Sequence, residues 1–183
     1  MQRIKREMDW YVMHTVPGKE KEAVELLEKK IDHKLWESCR VLRKQQLFRI
    51  RGSYVLSRKE MFPGYIFIAT AAPKLLLEEL KKARSFPQII GDTKEEIAAV
   101  EQEDLVFLRN VCGDELEQDM ELSTVQVDSE GHVVETTGVL KPYLGNVVRQ
   151  RLRQRYVIAK VPLFQREEEV LFGIRLDGDE KGS

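Results

Sequence analysis

The arginines near the C-terminus are the residues whose type and spacing point most directly to chemistry. Arg149, Arg151, Arg153 and Arg155 alternate with other residues, and Tyr156 follows them. A guanidinium group binds phosphate through two parallel hydrogen bonds and stacks on unpaired bases, and a tyrosine ring stacks in the same way. The cluster is flanked by three further basic residues, Lys141, Lys160 and Arg166. The pattern predicts an RNA contact; a solvated hairpin or a contact with a ribosomal protein is the alternative interpretation.

Charge is segregated along the chain, although the formal net charge is only -1. Segments 40–59 and 138–166 each carry seven basic residues and no acid, whereas segment 110–140 carries eight acids and no Lys or Arg. A polyanion-binding surface beside an acidic connector produces this distribution, and so do the solvated faces of a globular domain.

Aromatic residues mark a second candidate site, in the N-terminal half. Trp10 and Tyr11 open an apolar strand, and Phe62-Pro63-Gly64-Tyr65 directly precedes the apolar run Ile66-Phe67-Ile68. Neighbouring residues of a strand point to opposite faces, so the first two rings cannot enter one core layer. The proline and glycine should halt the chain and leave Phe62 within reach of a partner. Such aromatics suit a groove that receives a partner's helices, with core packing as the alternative.

The elements that must position these residues follow from apolar periodicity and turn residues. In the N-terminal part the sequence predicts strands at Trp10–Thr15, Leu47–Arg51, Tyr54–Leu56 and Tyr65–Ala69. It predicts helices at Lys19–Ile31, from Pro73, and from Thr93 to Gly113, and a short edge segment at Ser85–Gly91. Glu20, Glu22 and Glu25 are expected on the solvent face of the first helix. This order predicts an α/β sandwich with a largely antiparallel sheet.

After Gly113 the sequence predicts an acidic linker and then short strands. These are a hairpin around Asp128-Ser129-Glu130-Gly131 and strands at Asn146–Leu152, Tyr156–Val161 and Val170–Ile174. In the first of these strands Val148 and Leu152 are expected to face inward, while Arg149 and Arg151 project together on the other face. Segment 153–155 is the expected hairpin tip. Five short strands in so few residues suit a small SH3-like barrel.

Composition and motifs exclude several classes of protein. Hydrophobic residues make up 42% and charged residues 33% of the chain, which is typical of a soluble globular protein. No apolar run approaches the roughly 18 residues of a membrane span, and the basic N-terminus lacks the apolar core of a signal peptide. Cys39 and Cys112 are expected to be reduced thiols, and no metal-ligand spacing or catalytic motif is present. We expect a cytoplasmic monomer that is not an enzyme and has no cofactor, metal or membrane partner.

Three segments, in this order, carry a resemblance to a known family. They are Trp10-Tyr11-Val12, Phe62-Pro63-Gly64-Tyr65, and Tyr143-Leu144-Gly145-Asn146-Val147-Val148 with the hairpin that ends at Ala159-Lys160-Val161. From about Asp9 to Leu176 the chain resembles the NusG family of transcription elongation factors, and in detail its antiterminator paralogs of the LoaP type. The resemblance implies an α+β protein: an α/β sandwich with a mainly antiparallel sheet (the NGN domain), then a small SH3-like five-stranded β-barrel (the KOW domain).

The resemblance also implies domain boundaries and partners. We expect a flexible N-terminus (1–8), an NGN-like domain (9–113), the acidic linker (114–122), a KOW-like barrel (123–177) and a flexible tail (178–183). In similar proteins an aromatic depression receives the clamp helices of RNA polymerase. That role falls here on the tryptophan, tyrosines and FPGY motif, namely Trp10, Tyr11, Phe62, Pro63, Gly64 and Tyr65.

The basic segment before the FPGY motif is a third candidate interface. Related domains hold this part of the chain near the upstream DNA, and the candidate contacts here are Arg43, Lys44, Arg49 and Arg51. Contact with the non-template DNA strand and a merely solvated hairpin are both left open.

The function predicted from the whole chain is a bacterial elongation and processive antitermination factor. It would bind RNA polymerase through the first domain and a nascent leader RNA hairpin through the second, because the second is richer in arginine than a housekeeping KOW domain. The alternatives are an RNA-binding or ribosome-associated module without a polymerase partner, and a paralog whose second domain refolds into helices. The β-branched run within Tyr156–Val161 argues against the last.

Overall fold

The computed structural model describes residues 8–83 and 97–179, and the structural statements below refer to those residues. The helices are α1 (Glu20–Lys30), α2 (Pro73–Lys81) and α3 (Gln102–Cys112). The strands are β1 (Asp9–His14), β2 (Ser38–Arg40), β3 (Arg43–Ile50), β4 (Ser53–Glu60), β5 (Tyr65–Thr70), β6 (Ile97–Ala99), β7 (Ser123–Val127), β8 (Val133–Thr136), β9 (Val147–Arg151), β10 (Tyr156–Leu163) and β11 (Arg166–Leu176). Short 3-10 helices lie at Gly138–Asn146 and Leu152–Gln154.

The described chain divides into two compact units whose segments alternate along the sequence. Among the described residues, one unit contains 8–41, 62–83 and 97–101, and the other contains 42–61 and 102–179. The predicted domain boundaries remain a prediction about which segments fold independently. The expected edge segment Ser85–Gly91, the helix start at Thr93 and most of both expected flexible ends lie outside the described residues.

The first unit is built on an antiparallel sheet in the order β2-β5-β1-β6. Strand alternation sorts its side chains: Met13, Ile66 and Ile68 are fully buried and pack against helix residues such as Leu27 and Leu80. Helix α1 presents that apolar stripe because Ala23, Leu26 and Leu27 recur at helical spacing. The elements predicted at Trp10–Thr15, Lys19–Ile31, Tyr65–Ala69 and from Pro73 are therefore confirmed, with bounds that differ by at most one residue.

One predicted helix begins later than expected. Residues 97–99 form strand β6, which pairs with β1 so that Ala99 lies opposite Tyr11, and the helix starts only at Gln102. Alanine favours a helix locally, but here the pairing of β6 with an already buried strand decides the conformation.

The second unit contains a five-stranded sheet in the order β8-β7-β11-β10-β9, which curls as expected for an SH3-like domain. Its pairs are antiparallel except for β7 and β11, which run parallel. Val157, Ala159, Val161 and Leu163 alternate along β10 and are all buried. With the antiparallel sheet of the first unit, this makes the chain a mixed α+β protein.

The inward position predicted for Val148 is wrong. A bulge in the β9–β10 pairing sets Val147 opposite Ala159 and Arg149 opposite Ile158, so Val148 is the extra residue and is 53% exposed. Beyond the bulge, Arg149 and Arg151 lie opposite the outward residues Ile158 and Tyr156. The two arginines therefore share the outer face, as predicted.

The β3–β4 hairpin packs closely on the outside of β11 in this unit. Gly173 makes the approach possible, since a Cβ at this position would lie 2.1 Å from the carbonyl oxygen of Gln45. The peptide N–H of Gln45 donates to the carbonyl of Met120 at 2.8 Å, and the N–H of Met120 donates to the carbonyl of Arg43 at 2.9 Å. Met120 is only 1% exposed, so this part of the expected linker is paired and buried rather than open chain.

Helix α3 packs against the same sheet. The ring of Phe107 lies edge-on to that of Tyr143 at 5.1 Å, and Tyr143 lies 5.9 Å from Phe172 of β11. The carboxylate of Asp104 accepts the N–H of Phe164 in the β10–β11 turn at 3.1 Å. The helix and the barrel strands therefore share one core.

Candidate functional site

The predicted RNA-binding arginines divide into two groups. Arg149, Arg151 and Arg153 are exposed, and none has an ion-pair partner within residues 8–83 and 97–179. The first two lie two residues apart on the outer face of β9, and the third lies in the following 3-10 turn. The structure thus brings three guanidinium groups to one edge of the barrel, where polyanions can reach them.

Arg155 belongs to the other group because its guanidinium is held inside the protein. It forms two hydrogen bonds of 2.8 Å with the carboxylate of Asp179 and donates a third, of 2.6 Å, to the carbonyl of Leu152. It also lies over the ring of Tyr54 at 4.2 Å, and the hydroxyl of Tyr54 donates to the carbonyl of Arg153 at 2.9 Å. Arg155 therefore links the β9–β10 turn to hairpin β3–β4 and to the C-terminal segment.

This arrangement stabilises the ionised form of the Asp179 carboxyl. Partial burial alone would favour the neutral acid, but hydrogen bonds from Arg155 and from the N–H of Leu176 lower the pKa of the Asp179 carboxyl. The residue lies in the segment expected to be a flexible tail, and the sequence holds no signal for its partner.

The remaining predicted RNA contacts are scattered. Lys141 is exposed in the 3-10 segment before β9, and Lys160 is exposed on the outer side of β10, opposite Glu169. Arg166 pairs with Glu168 at 2.7 Å. Tyr156 is half-buried at the start of β10, opposite Arg151 and directly after the β9–β10 turn.

The basic residues of hairpin β3–β4 are also not equivalent. Arg43 lies 3.9 Å from Glu60, and burial lowers the pKa of the half-buried Lys44 ammonium. Arg49 and Arg51 are exposed near the hairpin turn. Of the four predicted contacts, these two are exposed, whereas Arg43 and Lys44 are half-buried.

A groove of about 340 Å³ lies between β3 and the β9–β10 turn, inside the second unit. Its lining residues are Gln46, Leu47, Phe48, Arg49, Arg153, Gln154 and Tyr156. None of these side chains is a carboxylate. The groove joins the predicted RNA site to the basic hairpin, a combination that sequence reasoning missed because the two segments are far apart in the chain.

The predicted polymerase-binding aromatics fall on both faces of the first sheet. Phe62, Tyr65 and Phe67 form one cluster, with ring centroids 5.8 Å apart for the first two and 6.5 Å for the last two. Trp10 points to this face because it lies in register with Ala69, whereas Tyr11 lies opposite Ile68 on the other face. The structure therefore brings Phe62 and Tyr65 together, places Trp10 on the same face of the sheet, and places Tyr11 on the opposite face.

The expectation that Phe62 is open to a partner is wrong for its side chain. The residue is only 7% exposed and Trp10 only 4%, so both fill the interior. Tyr65 is half-buried and lies 4.5 Å from the ring of His14, while Pro63 is exposed. Burial lowers the pKa of His14, which favours its neutral form beside the tyrosine.

Glu20 holds the turn of the FPGY motif in place. Its carboxylate accepts the N–H of Gly64 at 2.7 Å and that of Gly18 at 3.0 Å, and the residue is 5% exposed. The solvent-facing position expected for Glu20 is therefore wrong. Its place in the first turn of α1, just after Pro17-Gly18, is the sequence signal for a residue that binds backbone N–H groups.

Gly64 is required by this turn. It has φ +84°, and a Cβ there would lie 2.7 Å from the carbonyl oxygen of Thr15. The N–H of Thr15 donates to the carbonyl of Gly64 at 2.7 Å, which joins the turn to the end of β1.

One other feature has a simple structural explanation. Asp128, Glu130 and His132 bring ligand atoms within 4.8 Å of one another, but all are exposed and Asp128 accepts the N–H groups that shape the β7–β8 turn.

Over the part of the chain that the structure describes, no helix is long and apolar enough to cross a membrane.

Comparison with known proteins identifies the family. The family model for "Transcription termination factor nusG" matches residues 8–109, which is more than half of the chain. The chain belongs to the NusG family, whose members are transcription factors that act in elongation and termination and generally bind RNA polymerase.

Among solved structures, the chain is similar to one described as "Domain interaction in Thermotoga maritima NusG". The match has a TM-score of 0.47 and 17% identity, and it covers 91% of this chain and 93% of the other. No curated protein matches the chain in sequence.

Proposed function

We propose that this protein is a processive antitermination factor of the LoaP type that binds bacterial RNA polymerase and a nascent leader RNA. The observation that carries the RNA part is the alignment of Arg149, Arg151 and Arg153 at one edge of the barrel, exposed and without ion-pair partners among the described residues. The phosphates of a folded RNA supply the missing negative charge, and its unpaired bases supply surfaces for stacking.

Polymerase binding belongs to the face of the first sheet that carries Tyr65. Family membership supports the partner, and the exposed Pro63 and half-buried Tyr65 support the place. Phe62 acts behind them by packing against Tyr65 at 5.8 Å, so it supports the surface from within. Clamp helices would then contact a tyrosine whose position is fixed from below, which limits the entropy lost on binding.

The mechanism is a shift of population between active and paused polymerase. A factor that binds the active conformer better by about 1.4 kcal/mol changes the ratio of the two tenfold. Two weak contacts, one with polymerase and one with the transcript, raise each other's effective concentration and restrict the factor to operons that carry the RNA element. Asp119 of the acidic segment 114–122 pairs with Arg58 of the β3–β4 hairpin at 2.9 Å.

The polymerase contact is tested with two tyrosines of the same sheet. Both are half-buried, but Tyr65 lies on the FPGY face and Tyr11 on the opposite face. We expect Tyr65→Ala to weaken binding to core RNA polymerase by at least tenfold, while Tyr11→Ala weakens it much less. Equal losses would assign the effect to stability and contradict the proposed surface.

The RNA contact is tested by salt dependence. Each phosphate neutralised on single-stranded RNA contributes a slope of about -0.7 to the dependence of log affinity on log salt. Arg149→Ala with Arg151→Ala should flatten the slope by about 1.4, while Lys74→Ala in helix α2 leaves it unchanged. An unchanged slope in the double variant would remove these arginines from the site. Transcription through a terminator, with and without the leader sequence, then decides whether termination is opposed.

A further inference from the structure

The groove between β3 and the β9–β10 turn has the size of a nucleotide site. Its volume of about 340 Å³ lies at the lower end of the range for small-molecule sites, roughly 300 to 1,000 Å³. Arg153 is one of its lining residues and lies in the 3-10 turn directly after β9, so the groove adjoins the strand that carries Arg149 and Arg151.

The side chains that line the groove suit an unpaired base. Tyr156 and Phe48 provide aromatic surfaces, and Gln46 and Gln154 provide amide donors and acceptors that can read a base edge. Arg49 and Arg153 are exposed at the rim, and neither forms an ion pair with any residue in the ranges 8–83 and 97–179. Aromatic rings, amides and arginines without a carboxylate are the combination that single-stranded RNA sites use.

The two walls of the groove are held together by contacts inside the second unit. Tyr54 of β4 donates to the carbonyl of Arg153 and lies under the guanidinium of Arg155. Asp179 fixes Arg155 from the other side. These contacts preorganise the cleft, which reduces the cost of ordering it when a ligand binds.

We propose that this groove holds one unpaired base of a single-stranded RNA, stacked on Tyr156, with the adjacent phosphates on Arg49 and Arg153. The inference deepens the RNA-binding part of the proposed function and rests on it. It assigns Arg49 of the hairpin to RNA, in place of the DNA contact considered from the sequence. Tyr54, Arg155 and Asp179 are positioning residues for this site.

The test uses the full chain and a single-stranded RNA octamer that contains 2-aminopurine, whose fluorescence responds to stacking. Stacking on an aromatic ring contributes about 1–3 kcal/mol per base, so Tyr156→Leu should weaken binding by about 5- to 150-fold and abolish the fluorescence change. Tyr156→Phe keeps the ring and should retain both. Gln154→Ala, at an exposed position, should weaken binding by about 2- to 10-fold.

A matched pair on the hairpin tests the phosphate contact. Arg49→Ala should reduce the salt slope by about 0.7. Arg51→Asn removes the same charge two residues away, outside the groove, and asparagine tolerates the positive φ of 50° at that position. Arg51→Asn should therefore change the slope much less, and an equal change in the two variants would overturn the assignment of Arg49.

The outcomes separate this inference from the proposed function. If the unmodified protein binds no RNA octamer at low salt, the groove assignment fails; if it also binds no folded leader RNA, the RNA-binding part of the proposed function fails with it. If binding depends on Arg149 and Arg151 but is unchanged in Tyr156→Leu, Gln154→Ala and Arg49→Ala, only the groove is overturned. A DNA octamer of the same sequence that binds more tightly than the RNA would assign the groove to a displaced DNA strand and overturn the RNA assignment.

Discussion

Replacing Gly173 by alanine should separate hairpin β3–β4 from the barrel. The added Cβ would lie 2.1 Å from the carbonyl oxygen of Gln45, 3.1 Å from its carbonyl carbon and 2.8 Å from a methyl group of Leu122. The nearest atom belongs to the backbone, so no side-chain rotation relieves the contact. An ordinary contact of about 3.4 Å requires strand β3 to move away by more than an ångström, as expected for overpacking.

The expected loss of stability follows from two opposing effects. Glycine to alanine at a compatible position stabilises a protein by about 0.4–1 kcal/mol, because the unfolded chain loses freedom. Overpacking a close contact costs about 1–3 kcal/mol and occasionally more. The clash should win here, and the free energy of unfolding should fall by about 1–2 kcal/mol, or roughly 0.5–1 M in the urea midpoint for a slope near 2 kcal/mol/M.

Gly145→Ala is the matched control. Gly145 has no heavy atom within 4 Å of the added Cβ and does not have a positive φ, so this variant should be as stable as the parent or slightly more stable. The two variants make the same chemical change in the same unit, and only the surroundings of the new methyl group differ.

The assay is urea unfolding together with amide hydrogen exchange of β3. Gly173→Ala should lose protection at Gln45, whose N–H donates to Met120 at 2.8 Å, while Gly145→Ala should not. If Gly173→Ala is as stable as the parent and β3 keeps its protection, the close packing of β3 on β11 is refuted.

Three further predictions concern buried or half-buried groups. Glu20→Ala should lower the free energy of unfolding by about 2–4 kcal/mol and expose the Gly64 amide to exchange, because the buried N–H of Gly64 loses a charged acceptor; unchanged stability would contradict the role of this carboxylate. Cys112 is buried and Cys39 is half-buried, and burial raises the pKa of both thiols to about 12; both should react with a thiol reagent at pH 8 much more slowly in the native than in the unfolded protein, and equal rates would contradict this prediction. Asp179, whose native pKa is lowered, should stabilise the fold above its unfolded pKa of about 4 and lose that contribution as pH falls through the lower native value; Asp179→Asn should therefore be less stable than the parent at pH 7 and nearly equal at low pH, and a constant difference would contradict the ion pair.

Local pattern was sufficient for much of the fold. Alternating apolar residues predicted strand β10, Gly52 predicted the turn of the β3–β4 hairpin, and helical spacing predicted α1. These predictions succeeded because the period of a strand or helix is fixed by backbone geometry within a few residues. The alternation of the arginines was visible for the same reason, and the FPGY motif was visible because its four residues are contiguous.

The sequence by itself therefore determined the family, the order of most elements and the outer face shared by Arg149 and Arg151. Only the tertiary structure decided which side chains are available to a binding partner. It buries Phe62 and Glu20, and it holds Arg155 between an aromatic ring and a carboxylate. Availability depends on partners that lie tens of residues away, such as the 24 residues from Arg155 to Asp179. A period along the chain carries no information about such pairs, because they form only when distant segments pack together.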